Sequence, residues 1–304
     1  MKTPLIALVA SMALVSAAQA DSKFYGKMNV AVGYSDKDSN DTQAFGVDSY
    51  ASRVGVKGSE DLGFSKLIYQ AEYETDIDGD GSVLKQRDSY VGLAYKGMGT
   101  VKMGVMDTPL KKSQGKFDLF NDVVDIKQVL NGENRSANSV NYTTEKMANV
   151  QVSLAVTLPE DGTSEGVSAS VIYKADNVYA SAAIDNKVAG EATQRATVIY
   201  KLGDIKLGAL VNNVDQLDTA DDKLGFAINA AMTMGMDTVK VQFEKGDQGK
   251  KASKGATMLT FGADHKLGKA TKAFAFISQF DADTEADGTK LGELTIAMGL
   301  EHKF

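Results

Sequence analysis

Glu293-Leu294-Thr295-Ile296-Ala297-Met298-Gly299-Leu300-Glu301-His302-Lys303-Phe304 closes the sequence. Leu294, Ile296, Met298, Leu300, His302 and Phe304 share one parity; Glu293, Thr295, Ala297, Gly299, Glu301 and Lys303 share the other. Successive side chains of a strand point to opposite faces, so this segment has one apolar face and one small or charged face. An apolar-out, polar-in strand that runs to a terminal aromatic is the pattern of a closed membrane barrel.

The pattern recurs along the chain. In Phe24–Tyr34, Phe24, Met28, Val30, Val32 and Tyr34 oppose Tyr25, Lys27, Asn29 and Ala31. In Lys66–Ile77, Leu67, Tyr69, Ala71, Tyr73 and Ile77 oppose Lys66, Ile68, Gln70, Glu72 and Glu74. Val150–Leu158, Ile205–Val211, Leu224–Met232 and Val239–Phe243 alternate in the same way. The period is two rather than 3.6, so helices are nearly absent. Eight longer polar connections, among them Asp36–Asp48, Thr75–Leu84 and Thr108–Arg135, interleave with seven tight ones such as Lys96–Met98, Gly203–Asp204 and Leu267–Lys269. Together they join sixteen strands, with the long loops on one side and the short turns on the other. Pro109 and Pro159 fall in long connections, consistent with the loss of a ladder donor at proline. The expected fold is an all-β, 16-stranded antiparallel transmembrane β-barrel. No edge of such a sheet can stay open in lipid.

Met1–Ala20 reads as a cleaved signal peptide: Lys2 at the front, apolar Leu5–Val15, then Ala18-Gln19-Ala20 as the cleavage site. Residues 21–304 then form a single barrel domain. The formal net charge is −7, and no basic patch dominates, which argues against nucleic acid as a partner. Cysteine is absent, which excludes disulfides, thiol nucleophiles and cysteine metal sites. Asp76-Ile77-Asp78-Gly79-Asp80-Gly81 has the opening spacing of a calcium loop, but its twelfth position is Arg87, not Glu. A turn-forming acidic loop is the better account, and no metal or cofactor is expected. His302 lies on the outward parity, and His265 lies near a short turn with Asp264 on the opposite face. Neither builds a catalytic triad, so an enzyme is not expected.

A barrel of this size encloses an aqueous channel, so its chemistry lies in the lining and in whatever narrows it. Thr108–Arg135 is the longest connection and holds Asp118, Asp122, Asp125 and Glu133 beside Lys111, Lys112 and Lys116.

Ser52-Arg53-Val54-Gly55-Val56-Lys57-Gly58-Ser59-Glu60-Asp61-Leu62-Gly63 resembles the second strand and first turn of Gram-negative general porins. Arg87-Asp88-Ser89-Tyr90-Val91-Gly92-Leu93 and Gly99-Thr100-Val101-Lys102-Met103-Gly104 resemble the fourth and fifth strands of that family, and Asp107-Thr108-Pro109 opens its third loop. The resemblance implies an outer-membrane homotrimer of 16-stranded barrels, each with the third loop folded inward. It implies surroundings of outer-membrane lipid and lipopolysaccharide, and recognition of the terminal Phe304 by the assembly machinery. It also implies a basic wall facing carboxylates of the third loop. Lys27, Arg53 and Arg87 match the basic positions, with Arg135 as a fourth; Asp118, Asp122 and Asp125 are the acidic candidates. Arg87 shares parity with Val91, Leu93 and Tyr95, which would otherwise face lipid; either those three pack beneath the third loop or at a subunit contact, or a bulge resets the register.

The expected function is passive diffusion of small hydrophilic solutes and ions through a water-filled pore. The acidic balance leans toward cations. Glu72, Glu74, Glu244, Glu293 and Glu301 share the lumen parity with Lys27, Lys57, Lys201, Lys206 and Lys240. That mixture speaks against a substrate-selective porin, one alternative; a non-conducting structural or adhesive barrel is another.

Overall fold

The computed structural model describes residues 21–37, 42–79, 84–158, 165–216, 222–246, 254–283 and 290–304. The expected leader, Pro159 and Asp80–Gly81 lie outside them. Among the described residues no helix is long and apolar enough to cross a membrane; the chain crosses with strands.

Sixteen antiparallel strands form a closed barrel. They are β1 (Asp21–Lys37), β2 in two pieces (Thr42–Ser49 and Arg53–Asp61), β3 (Lys66–Glu74) and β4 in two pieces (Lys85–Gln86 and Ser89–Tyr95). β5 (Gly99–Asp107), β6 (Arg135–Thr143), β7 (Val150–Thr157), β8 (Gly166–Lys174), β9 (Val178–Val188) and β10 (Glu191–Leu202) follow. β11 (Ile205–Gln216), β12 (Asp222–Met234), β13 (Asp237–Gly246), β14 (Lys254–Lys266), β15 (Thr271–Asp283) and β16 (Lys290–Lys303) complete the wall. Each strand pairs with its sequence neighbours, and β16 returns to β1 with Lys27 opposite Lys303 and Tyr34 opposite Ile296.

The expected two faces are present. On β16, Ile296 and Met298 are exposed on the outer face while Ala297 between them is buried. Past the ladder, Gly26 and Phe304 exchange both backbone hydrogen bonds, at 3.0 and 3.1 Å, so the seam is paired to the last residue. The Phe304 ring stands on the outer face, 5.8 Å from the Phe24 ring between centroids, and lies over Gly26.

The breaks in β2 and β4 are bulges, and they settle which way two arginines point. Before the first break Val30 pairs with Ser49; after it Lys27 pairs with Arg53, so the second strand carries one extra residue. Ala51 takes a left-handed φ of 49° there. Tyr50 N–H donates to the Asn29 carbonyl at 2.8 Å, and Asn29 N–H donates to the buried Ser52 hydroxyl at 2.9 Å. These bonds satisfy backbone groups that the interrupted ladder would leave open. Ser49 and Arg53 have one parity but opposite faces as a result. In β4, Gln86 pairs with Tyr73 and Tyr90 with Gln70, again one residue out of step. Arg87 therefore faces the side opposite Val91 despite their shared parity, which is the register reset that its sequence context called for.

Residues 108–134 contain a short helix α1 (Pro109–Ser113) and a 3₁₀ turn (Ile126–Gln128). Phe117, Phe120, Ile126, Val129 and Leu130 of this segment are at most 1% exposed. They pack with Met258, Phe274, Phe276 and Phe280 of β14 and β15, whose side chains lie opposite the exposed Ile277. Phe274, Phe276 and Phe280 occupy the face that a water-filled barrel would make polar, because loop residues cover them.

A Cβ on Gly26 would lie 2.3 Å from Phe304 Cζ and 2.9 Å from the Arg53 carbonyl oxygen. Gly26→Val should therefore displace the ring and strain the seam, costing about 1–3 kcal/mol. The temperature at which the detergent-resistant barrel unfolds on a gel should fall; an unchanged transition would show that the seam does not depend on this packing.

Candidate functional site

Lys27 and Arg53 are register partners on β1 and β2, and both reach Asp122 of the 108–134 segment. Lys27 Nζ lies 2.6 Å from Asp122 Oδ2 and Arg53 Nη2 3.4 Å from the same oxygen. Lys27 is only 2% exposed, and Glu301 of β16 stands 3.9 Å from its ammonium. Burial opposes ionisation of Asp122, but the charges of Arg53 and Lys27 outweigh it and hold the carboxyl below its usual range. Asp122 has a φ of 72°, a left-handed conformation that Asp tolerates better than most residues.

Arg87 and Arg135 are matched by carboxylates on and beside the strands. Arg87 Nε lies 2.7 Å from Glu72 and Nη1 2.5 Å from Glu74, both on β3. Tyr25 on β1 donates its hydroxyl proton to Glu72 at 2.8 Å. Arg135 bridges Asp88 at 2.9 Å and Asp107 at 2.8 Å. Lys27, Arg53, Arg87 and Arg135 thus all belong to ionic clusters, and Asp122 alone of the three acidic candidates meets the first two.

The other two acids hold the loop together. Asp118 is partly buried; its Oδ1 accepts from Phe120 N–H and Gln242 Nε2, both at 3.0 Å, and its Oδ2 accepts from Ile126 N–H at 3.1 Å. Burial, together with the charge of Asp125, raises the Asp118 carboxyl to about 7. Asp125 caps the 3₁₀ turn, accepting from Lys127 N–H at 2.8 Å.

Several wall residues that sequence reasoning missed grip the same segment. Arg195 on β10 pairs with Glu133 at 2.6 Å, with side chains 0% and 4% exposed, and donates to the Asn131 carbonyl at 2.6 Å. Asn212 donates to the same carbonyl at 3.1 Å, and Asn229 to that of Phe117 at 2.7 Å. Gln242 accepts from Leu119 N–H at 2.9 Å, and Ser181 donates to the Ser113 carbonyl at 2.6 Å. The available signal was the parity of Arg195, an isolated arginine in step with Thr193 and Thr197 on the inner face of β10.

Two measurements probe this anchoring. Removing one partner of a buried ion pair leaves an uncompensated charge and costs about 3–5 kcal/mol. Arg195→Met should therefore destabilise the folded barrel more than Glu133→Gln in denaturant titrations, and Arg195→Met with Glu133→Gln should recover part of the loss. Asp118 binds its proton more tightly in the folded chain than in the unfolded one. Its contribution is then full below the unfolded value near 3.8 and is lost as pH rises through about 7. Wild-type thermal stability should fall across that window, and Asp118→Asn should flatten the fall; an identical pH profile in both would remove Asp118 from the account.

Comparison with known proteins agrees with this architecture. A family profile described as Gram-negative porin matches residues 5–285. The major outer membrane protein P.IB of Neisseria gonorrhoeae is 26% identical over 353 residues, covering 100% of both chains. The same protein from Neisseria meningitidis serogroup B is 32% identical over 187 residues, 57% of this chain and 56% of that one. Among solved structures, the anion-selective porin from Comamonas acidovorans superposes with a TM-score of 0.78 at 21% identity, covering 94% of this chain and 100% of that chain. Salmonella typhi OmpF gives 0.73 at 13% identity, covering 93% and 97%. A closed sixteen-stranded barrel with this family match belongs to the Gram-negative porins of the outer membrane.

Proposed function

We propose that this porin is a general diffusion pore whose third loop, residues 108–134, folds inward and narrows the lumen. The observation that carries this reading is Asp122, held by Lys27 and Arg53 of the wall at 2.6 and 3.4 Å. Arg87 with Glu72 and Glu74, and Arg135 with Asp88 and Asp107, extend the array of opposed charges. Fixed ion pairs along a narrow, partly desolvated passage set up a strong local field. Water and small polar solutes align with it, whereas an apolar solute must disrupt that order to pass. Lys27, Arg53, Arg87 and Arg135 form the basic wall and Asp122 the facing acid, while Asp118 and Asp125 shape the loop. The exported chain starts at Asp21, assembles as a homotrimer among lipid and lipopolysaccharide, and is recognised by the assembly machinery through Phe304.

Purified protein in a planar bilayer should conduct in steps, in triplets for a trimer; silence from correctly folded protein would overturn the channel reading. Asp122→Asn leaves Lys27 and Arg53 without their carboxylate and should shift the reversal potential in a salt gradient toward anions. Arg53→Ala should shift it the opposite way. If both variants keep the wild-type value, the charges do not stand at the narrowest point. Deleting Phe304 should lower the amount of inserted barrel without changing conductance per channel, and normal insertion would leave Phe304 a packing role only.

A further inference from the structure

We propose that the vestibule at the short-turn end of the barrel is a binding site for multivalent oxyanions of the phosphate class; this rests on the channel reading above. A cavity of about 800 Å³ opens there between the third loop and β10–β16. Six lysines line it: Lys116, Lys201, Lys206, Lys240, Lys272 and Lys303. The carboxylates in the same lining are Asp118, Asp204 and Asp264. Asp264 is shared by Lys240 at 2.9 Å and Lys272 at 3.2 Å, and Lys303 pairs with Glu301 at 3.0 Å. Asp118 is held by hydrogen bonds from Phe120 and Ile126 of the loop and from Gln242 of the wall.

Lys116, Lys201 and Lys206 remain. Lys201 and Lys206 are directly opposite in the β10–β11 register, and Lys206 Nζ donates to the Lys116 carbonyl at 2.8 Å. Among the described residues none of the three forms an ion pair, and Asp204 in the adjoining turn and Asp118, two residues from Lys116, are the lining carboxylates that partly offset them. Like charges directly opposite on a sheet repel each other. An anion with several charged oxygens relieves that repulsion at more than one lysine at once, with more charge and more acceptor atoms than a single chloride brings. The cavity has room for an organic group attached to the phosphate. The site is basic although the chain as a whole is acidic, with a net charge of −7.

The test is a titration of inorganic pyrophosphate against single-channel current in potassium chloride, with ionic strength held constant. Wild-type current should fall in a saturable manner, and the half-blocking concentration should rise at least about tenfold in the triple variant Lys116→Gln, Lys201→Gln, Lys206→Gln. Lys201→Gln alone keeps the Lys206 bond to the loop and should move the value in the same direction, which covers a triple variant that fails to fold. A wild-type pore that conducts but is insensitive to pyrophosphate, or variants blocked as easily as wild type, would overturn the site and leave the porin reading intact. A wild-type barrel that does not conduct would overturn both.

Discussion

Strand β1 is hydrogen-bonded along both edges, to β16 on one side and to both pieces of β2 on the other. Every other feature depends on that closure. A membrane offers no water to an unpaired strand edge, so the sheet must meet itself in register. The same pairing sets Lys27 opposite Arg53 on one side and beside Glu301 on the other. The seam that leaves no strand edge open to lipid also assembles part of the ionic cluster.

A barrel with a water-filled lumen has no central core, and this one builds a partial core from its longest loop. Burying a large apolar side chain contributes about 1.5–3 kcal/mol, whereas an ordinary hydrogen bond contributes about 1 kcal/mol net. Phe117, Phe120, Ile126, Val129 and Leu130 therefore supply most of the attraction that seats residues 108–134. The polar contacts from Ser181, Arg195, Asn229 and Gln242 decide how the loop sits rather than whether it does. The Arg195–Glu133 pair is the exception, because breaking it strands a buried charge.

Alternation in the chain was enough to read the sixteen strands and the outward parity of Phe304, since each strand's two faces are a local property repeated many times. The alternation misleads where one residue is inserted. At Ala51 the face changes without any compositional mark; at Arg87 the mark is a charge in step with Val91, Leu93 and Tyr95, and at both the partner strand fixes where the register shifts. It also misses Phe274, Phe276 and Phe280, because aromatics on an inner face make sense only once a distant loop covers them. The three loop aspartates look equivalent in sequence. They differ because Asp118 and Asp125 find backbone N–H groups of the loop itself, and Asp122 is left for the wall.

The wall's hydrogen bonds to the third loop fall largely on its main chain: the carbonyls of Ser113, Lys116, Phe117, Leu119 and Asn131, and the amide of Leu119. Main-chain atoms are the same whatever residue carries them. Exposed loop side chains can therefore be exchanged over generations while the loop keeps its place. Such a pore can be retuned to a new supply of solutes by single substitutions, with no need to redesign the barrel that holds it.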